Sequence, residues 1–226
     1  MSVANFKKKQ IGSGIYTIPD IAKILGYSQQ KVRRYINDYW DDSLGKELFK
    51  ETYSWKKDNN QRAVNFYVLI ELYTCFLLRE LGASTQSIMK ARKNMSKQLE
   101  TPYPFASYKV LIAGRKILFE LEDLIISADG SNQINLSEII RTFAQNVDFD
   151  KNNLASRFWP KGKQNSVVVD PHHQFGQPII NGTNISAEGI FYMYQSNEPV
   201  ESIGILYDIT EKQVNDAINF YKSKAA

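Results

Sequence analysis

Between Ser28 and Ile36 the chain reads SQQKVRRYI. Serine is a favoured helix N-cap, because its hydroxyl accepts a backbone N–H left unpaired in the first turn. The helix it opens keeps Val32, Tyr35 and Ile36 for burial and turns Gln29, Gln30, Lys31, Arg33 and Arg34 outward. Glutamine pairs with adenine edges, arginine with guanine edges, and lysine commonly holds phosphate. That set suits a helix lying in the major groove of a duplex. Residues 53–66 repeat the basic theme as YSWKK, a polar DNNQ tip and RAVNF. They predict a hairpin with Trp55, Val64 and Phe66 inward and Lys56, Lys57 and Arg62 outward. The expected nucleic-acid contacts are therefore Ser28, Gln29, Gln30, Lys31, Arg33, Arg34, Lys56, Lys57 and Arg62.

Other chemistry is poorly supported. His172 and His173 are adjacent, and neighbours along a strand would point to opposite faces with no third ligand near, so they read as loop histidines and not as a metal pair. Gly176 and Gly182 lack the lysine and helix start of a phosphate loop and read as turn glycines. There is no G-x-S-x-G nucleophile motif. The single cysteine, Cys75, lies in an apolar helical run, which excludes a disulfide or a cysteine-based zinc site within one chain. No catalytic residue, metal site or cofactor is expected, and the chain reads as a non-enzyme.

The elements that must position the Ser28 helix are legible just before it. Thr17 or Ile18 caps a helix with Pro19 in its first turn, where a missing N–H costs nothing. Ile21, Ala22, Ile24 and Leu25 form its buried side, and Gly26 supplies the turn. The same grammar recurs near the other end. An offset of 182 carries Ile21 to Ile203, Ala22 to Gly204, Ser28 to Thr210, Val32 to Val214 and Ile36 to Ile218. In both copies a short helix with a small residue leads through a tight turn to a second amphipathic helix, as in a helix-turn-helix. The copies differ in charge. The second helix of the later copy has Lys212 against Glu211 and Asp216, so a phosphate backbone would repel it.

That asymmetry extends to the whole chain. Residues 1–99 hold 17 Lys+Arg and 9 Asp+Glu, while residues 100–226 hold 11 and 15, together giving the net +4. A basic half joined to an acidic half suggests nucleic acid for the first and something else for the second. No apolar run reaches the ~20 residues that span a bilayer. With no signal-peptide pattern at the N-terminus, a cytoplasmic location is expected.

The predicted fold class is α+β. Residues 1–100 form a winged helix-turn-helix, with a buried helix from Phe66 to Leu81, a stop at Gly82 and a further helix capped by Ser84. The Thr101-Pro102-Tyr103-Pro104 segment marks a break. Residues 101–165 form a strand-rich middle. It has hairpins turned at Gly114 and at Asp129-Gly130, a helix from Ser137 to about Asn146, and an irregular stretch from 148. Residues 166–226 form a β-hairpin, VVVDP with QPIINGT, followed by three helices opening near Ser186, Pro199 and Thr210.

YTIPDIAKILGYSQQKVRRYI, the hairpin and FLLRELGASTQSIMKARKNM resemble the DNA-binding domain of the MerR family over about residues 15–98. The long dimerising helix of that family would be stopped here by Pro102 and Pro104, and its metal-binding cysteines are missing, so metal or drug sensing is not implied. Val169, Asp170, Pro171, Gly176, Pro178, Ile180, Gly182, Thr183 and Ile185 resemble a second, small domain family of unknown biochemical function, over about residues 166–222. That family is similar to VapB-like antitoxins often encoded beside a PIN-like ribonuclease toxin. Arg157, Trp159 and Pro160 match longer members with a MerR-like front end, which makes Arg157, Phe158 and Trp159 candidate partner contacts. The resemblances imply an antitoxin-type regulator, a homodimer, that binds its own double-stranded operator DNA and neutralises a PIN-like nuclease. A stand-alone regulator with a ligand pocket in the middle, a nucleic-acid enzyme using acidic C-terminal residues and a structural adaptor remain the alternatives.

Overall fold

In the computed structural model the described residues are 14–49, 53–56, 62–80, 82–107, 142–143 and 145–222. They form a mixed α+β structure with two small antiparallel sheets. The expected strands between 108 and 136, and the first part of the helix expected from Ser137, lie outside the described residues. Residues 142–143 and 145–146 are helical, in agreement with its predicted end.

Strand β1 (Tyr16–Thr17) leads directly into α1 (Ile18–Leu25). Thr17 and Asp20 form a reciprocal capping box. Gly26 then takes the left-handed conformation (φ 77°, ψ 32°) that a Cβ disfavours, closing α1 and turning the chain toward Ser28. The second helix, α2 (Gln29–Arg34), does not stop at Ile36. It runs on as a π-helix (Tyr35–Gly45) and then as α3 (Lys46–Phe49). The wider π turns bring Ile36, Trp40, Asp41, Leu44 and Gly45 to the buried side together.

Strands β2 (Trp55–Lys56) and β3 (Arg62–Val64) pair as the expected hairpin, and β1 joins them in the order β1-β3-β2. Phe66 opens α4 (Phe66–Glu80) rather than completing the strand. Helix α5 (Thr85–Gln98) follows, capped by Ser84. Between these two helices lies a fully buried ion pair, Glu71 with Arg92. Glu71 also accepts the N–H of Phe105 at 2.7 Å, and Arg92 donates to the carbonyl of Pro102 at 2.8 Å. The Thr101–Pro104 break is therefore pinned into the core, and Pro102, Pro104 and Phe105 are buried.

The second sheet has the order β4-β5-β6-β7. Strands β6 (Val167–Val169) and β7 (Pro178–Ile180) are the expected hairpin, with Val168 opposite Ile179. Strands β4 (Val147–Phe149) and β5 (Ala155–Phe158) correct the expectation of an irregular stretch from 148. They are short, and their pairing is reinforced by the Trp159 N–H on the Asn146 carbonyl at 2.7 Å. Helices α6 (Ala187–Gln195), α7 (Val200–Tyr207) and α8 (Glu211–Lys222) follow. One apolar core joins α1, α2 and α4 to Phe158 and Val169 of the second sheet, and a separate one fills the space between that sheet and α6–α8.

Candidate nucleic-acid interface

The start of α2 is solvent-facing. Gln29, Gln30, Arg33 and Arg34 are exposed, and the i, i+4 spacing stacks Gln29 with Arg33 and Gln30 with Arg34 on one side. Ser28 is a cap, its Oγ accepting the Lys31 N–H at 3.2 Å. Lys31 differs from its neighbours. Its Nζ lies 3.8 Å from the Tyr27 ring centroid and 4.6 Å from that of Phe76, so its ammonium faces back onto α4. Burial there lowers its pKa, against the opposing charge of Glu80. Glu80 in turn accepts the Tyr27 hydroxyl at 2.5 Å. Lys31 thus belongs to the packing behind the exposed helix face.

Arg62 also turns inward, contrary to the outward orientation expected. Its Nη1 meets Asp41 Oδ2 at 2.5 Å. Asp41 is buried, and a buried carboxylate needs donors. Ser54 supplies two, from N at 2.9 Å and Oγ at 2.5 Å, and Arg62 supplies the countercharge. Lys56 stands opposite Arg62 in the β2–β3 register. Its side chain, and the whole of Lys57, lie outside the described residues.

Phe158 and Trp159 are core residues, 1% and 6% exposed, so of the three candidate partner contacts only Arg157 reaches the surface. Phe158 packs on Tyr73 of α4, and Trp159 packs with Val168 and Ile179. Asp148 organises this corner. It accepts Trp159 Nε1 at 2.9 Å and pairs with Arg157 at 3.1 Å and Lys163 at 2.7 Å. Burial works to raise the Asp148 pKa, but the bonds from Lys163 and Trp159 and the charges of Lys163 and Arg157 outweigh it and hold it below the usual value.

The two helix-turn-helix units have the same local construction. Asp208, offset by 182 from Gly26, is also left-handed (φ 53°, ψ 49°). The N–H groups of Tyr27 and Ile209 bond the carbonyls of Ala22 and Gly204. A Cβ on Gly204 would stand 3.0 Å from the Ile209 carbonyl, which accounts for the small residue inside α7. Thr210 caps α8, its hydroxyl accepting the Gln213 N–H. Unlike α2, the start of α8 offers little positive charge. The Lys212 ammonium is held by Asp216 at 2.7 Å and the Gln164 carbonyl at 3.1 Å.

Sequence reasoning missed how the two ends of the chain meet. The Tyr16 ring sits against Gly14 and Gly176, both at positive φ. A Cβ on Gly176 would stand 2.1 Å from Tyr16 Oη. The Ile15 N–H bonds the Phe175 carbonyl at 3.0 Å. Lys23 of α1 pairs with Glu188 of α6 at 2.6 Å and lies 5.5 Å from the Tyr221 ring centroid of α8. The signal was visible as Gly176 within the V-D-P…G-x-P pattern, but its reason is a long-range aromatic contact. His172 and His173 occupy an exposed turn, in agreement with their reading as loop histidines, and His173 Nδ1 lies 3.2 Å from Asp170. Among the described residues no three His, Cys, Asp or Glu side chains are grouped to hold a metal. No described helix is long and apolar enough to cross a membrane.

A family described as protein of unknown function (DUF433) matches residues 167–221, from β6 through most of α8. The curated protein named "Putative antitoxin VapB45", from Mycobacterium tuberculosis (strain ATCC 25618 / H37Rv), is 23% identical over 167 residues, 68% of this chain and 70% of the relative. The crystal structure of Rv2018 from Mycobacterium tuberculosis matches at TM-score 0.72 with 19% identity, over 90% of this chain and 96% of that one. At that identity the structural likeness is one of fold.

Proposed function

We propose that this chain is an antitoxin-type transcriptional regulator that binds operator DNA through its N-terminal half and neutralises a PIN-like nuclease through its C-terminal half. One contrast carries the reading. Two helix-turn-helix units of the same construction differ in charge, α2 displaying exposed Arg33 and Arg34 while α8 opens with Glu211 and a Lys212 already paired. Similarity to a protein named as an antitoxin supports the role.

In this reading Gln29, Gln30, Arg33 and Arg34 contact the duplex in the MerR manner, with Lys56 and Lys57 of the wing on phosphate. Ser28 and Lys31 hold the helix in place rather than touch DNA. The regulator is a cytoplasmic homodimer and represses its own promoter, since groove readers of this type generally occupy paired half-sites. Division of labour makes the proposal testable. In co-expression with the nuclease encoded beside its gene, full-length protein should co-purify with the nuclease and retain promoter DNA in a gel shift. Nuclease binding that is abolished by Arg33→Ala/Arg34→Ala, with promoter binding intact, would reverse the assignment.

A further inference from the structure

The internal repeat makes the first helix-turn-helix a guide to the second. On α1, Lys23 is a docking residue, since its ammonium receives Glu188 and faces Tyr221 of the three-helix region. The offset of 182 places Ile205 of α7 where α1 has Lys23, and Leu206 where α1 has Ile24. Ile24 is 2% exposed. Ile205 and Leu206 are 76% and 64% exposed, although Ile203 and Gly204 just before them are buried. So the outer face of α7 is apolar and open at the position where its counterpart carries a contact between distant parts of the chain.

The rim of that face is acidic. Glu201 precedes Ile205 by four residues, one helical turn, and Asp208 follows it by three. Glu211 opens the next helix, and all three are exposed. The nearest cation in sequence, Lys212, has its charge engaged by Asp216. On α1 a basic position receives an acidic guest. The charge is reversed on α7, and the guest it fits is an apolar surface rimmed by lysine or arginine. A second copy of this chain fits poorly. A two-fold contact through α7 would set Glu201 and Asp208 against the same residues of the other copy. Nucleic acid is repelled by the same rim.

We propose that the outer face of α7, centred on Ile205 and Leu206 and rimmed by Glu201 and Asp208, is the docking surface for a basic-rimmed apolar face of a protein partner. The proposal rests on the antitoxin reading, in which that partner is the nuclease.

The test uses the full chain and the purified nuclease encoded beside its gene, titrated calorimetrically. Two variants probe the face independently, Ile205→Ser/Leu206→Ser for the apolar centre and Glu201→Lys/Asp208→Asn for the rim. Each should weaken nuclease binding at least tenfold, with thermal midpoint, operator binding and mass by light scattering unchanged. Wild-type binding matched by both variants would overturn the docking surface and leave the antitoxin reading standing. No binding by the wild type would sink that reading and this partner with it. A fall in mass for Ile205→Ser/Leu206→Ser would show that a second copy covers the face, and would also overturn the proposal.

Discussion

The α2 cations make a prediction in which three basic residues within one turn behave differently. Arg33 and Arg34 are exposed, whereas the Lys31 ammonium rests on the Tyr27 and Phe76 rings. Each phosphate neutralised contributes about 0.9 to the slope of log affinity against log salt. With one phosphate per arginine, a dimer engages four, and Arg33→Ala/Arg34→Ala lowers the slope by roughly 3.6. Between 50 and 200 mM salt the wild-type protein would then lose about a hundredfold more affinity than the variant does. Lys31→Ala should leave the slope nearly unchanged. It removes a partly desolvated cation–π contact and costs about 1 kcal/mol of folding stability. The assay is fluorescence anisotropy on promoter DNA at four or five salt concentrations, paired with urea unfolding. A slope that falls for Lys31→Ala as much as for the arginine pair would refute the division between groove-facing and packing cations. An unchanged slope for the arginine pair would refute the placement of DNA on α2.

Gly176→Ala should cost roughly 2–4 kcal/mol, from a left-handed backbone position and a Cβ driven into the Tyr16 ring. Tyr16→Phe, which removes a buried hydroxyl that has no hydrogen-bond partner, should fall within about 1 kcal/mol of wild type and reduce the Gly176→Ala cost in a double-mutant cycle by urea unfolding. Arg92→Met should destabilise by about 3–5 kcal/mol, because it leaves the Glu71 carboxylate buried without its countercharge. Burial already raises the Glu71 pKa against the pull of Arg92, and the variant raises it further. A raised acid pKa means that the folded state holds the proton, so the variant's deficit should shrink as pH falls and widen as pH rises. Asp148→Asn has the opposite sign. The folded Asp148 pKa is depressed, so its contribution of about 1–2 kcal/mol is present above the unfolded value near pH 4 and lost as pH falls through the folded value. Unfolding at pH 7 should separate variant from wild type, and unfolding near pH 3 should bring them closer.

Local signals in the sequence carried far because they are backbone chemistry. Thr17, Ser28, Ser84, Ser186 and Thr210 cap helices where their hydroxyls suggest, and the 182-residue offset recovers the left-handed turn even where Asp208 replaces Gly26. Side-chain direction was harder to read. Lys31 and Arg62 looked like surface cations, and only the positions of Phe76 and of buried Asp41 turn them inward. Phe158 and Trp159 looked like contacts for another protein and are instead the filling between β5, α4 and the β6–β7 hairpin. The β4–β5 pairing was missed because strands of three or four residues leave almost no alternation to detect. The continuation of α2 to Phe49 was missed because a π-helix spaces its buried residues unlike an α-helix. The Glu71–Arg92 pair has no local signature, since its partners come from two helices and the segment after Gln98.

The antitoxin reading is tested most directly by RNA cleavage. The partner that reading proposes, a PIN-like nuclease encoded beside this gene, is purified and its cleavage of a labelled RNA is followed while the full-length chain is titrated in. The account predicts that cleavage falls to background near one equivalent of this protein per nuclease, and that Arg33→Ala/Arg34→Ala inhibits as well as wild type. Undiminished cleavage at excess protein would contradict it.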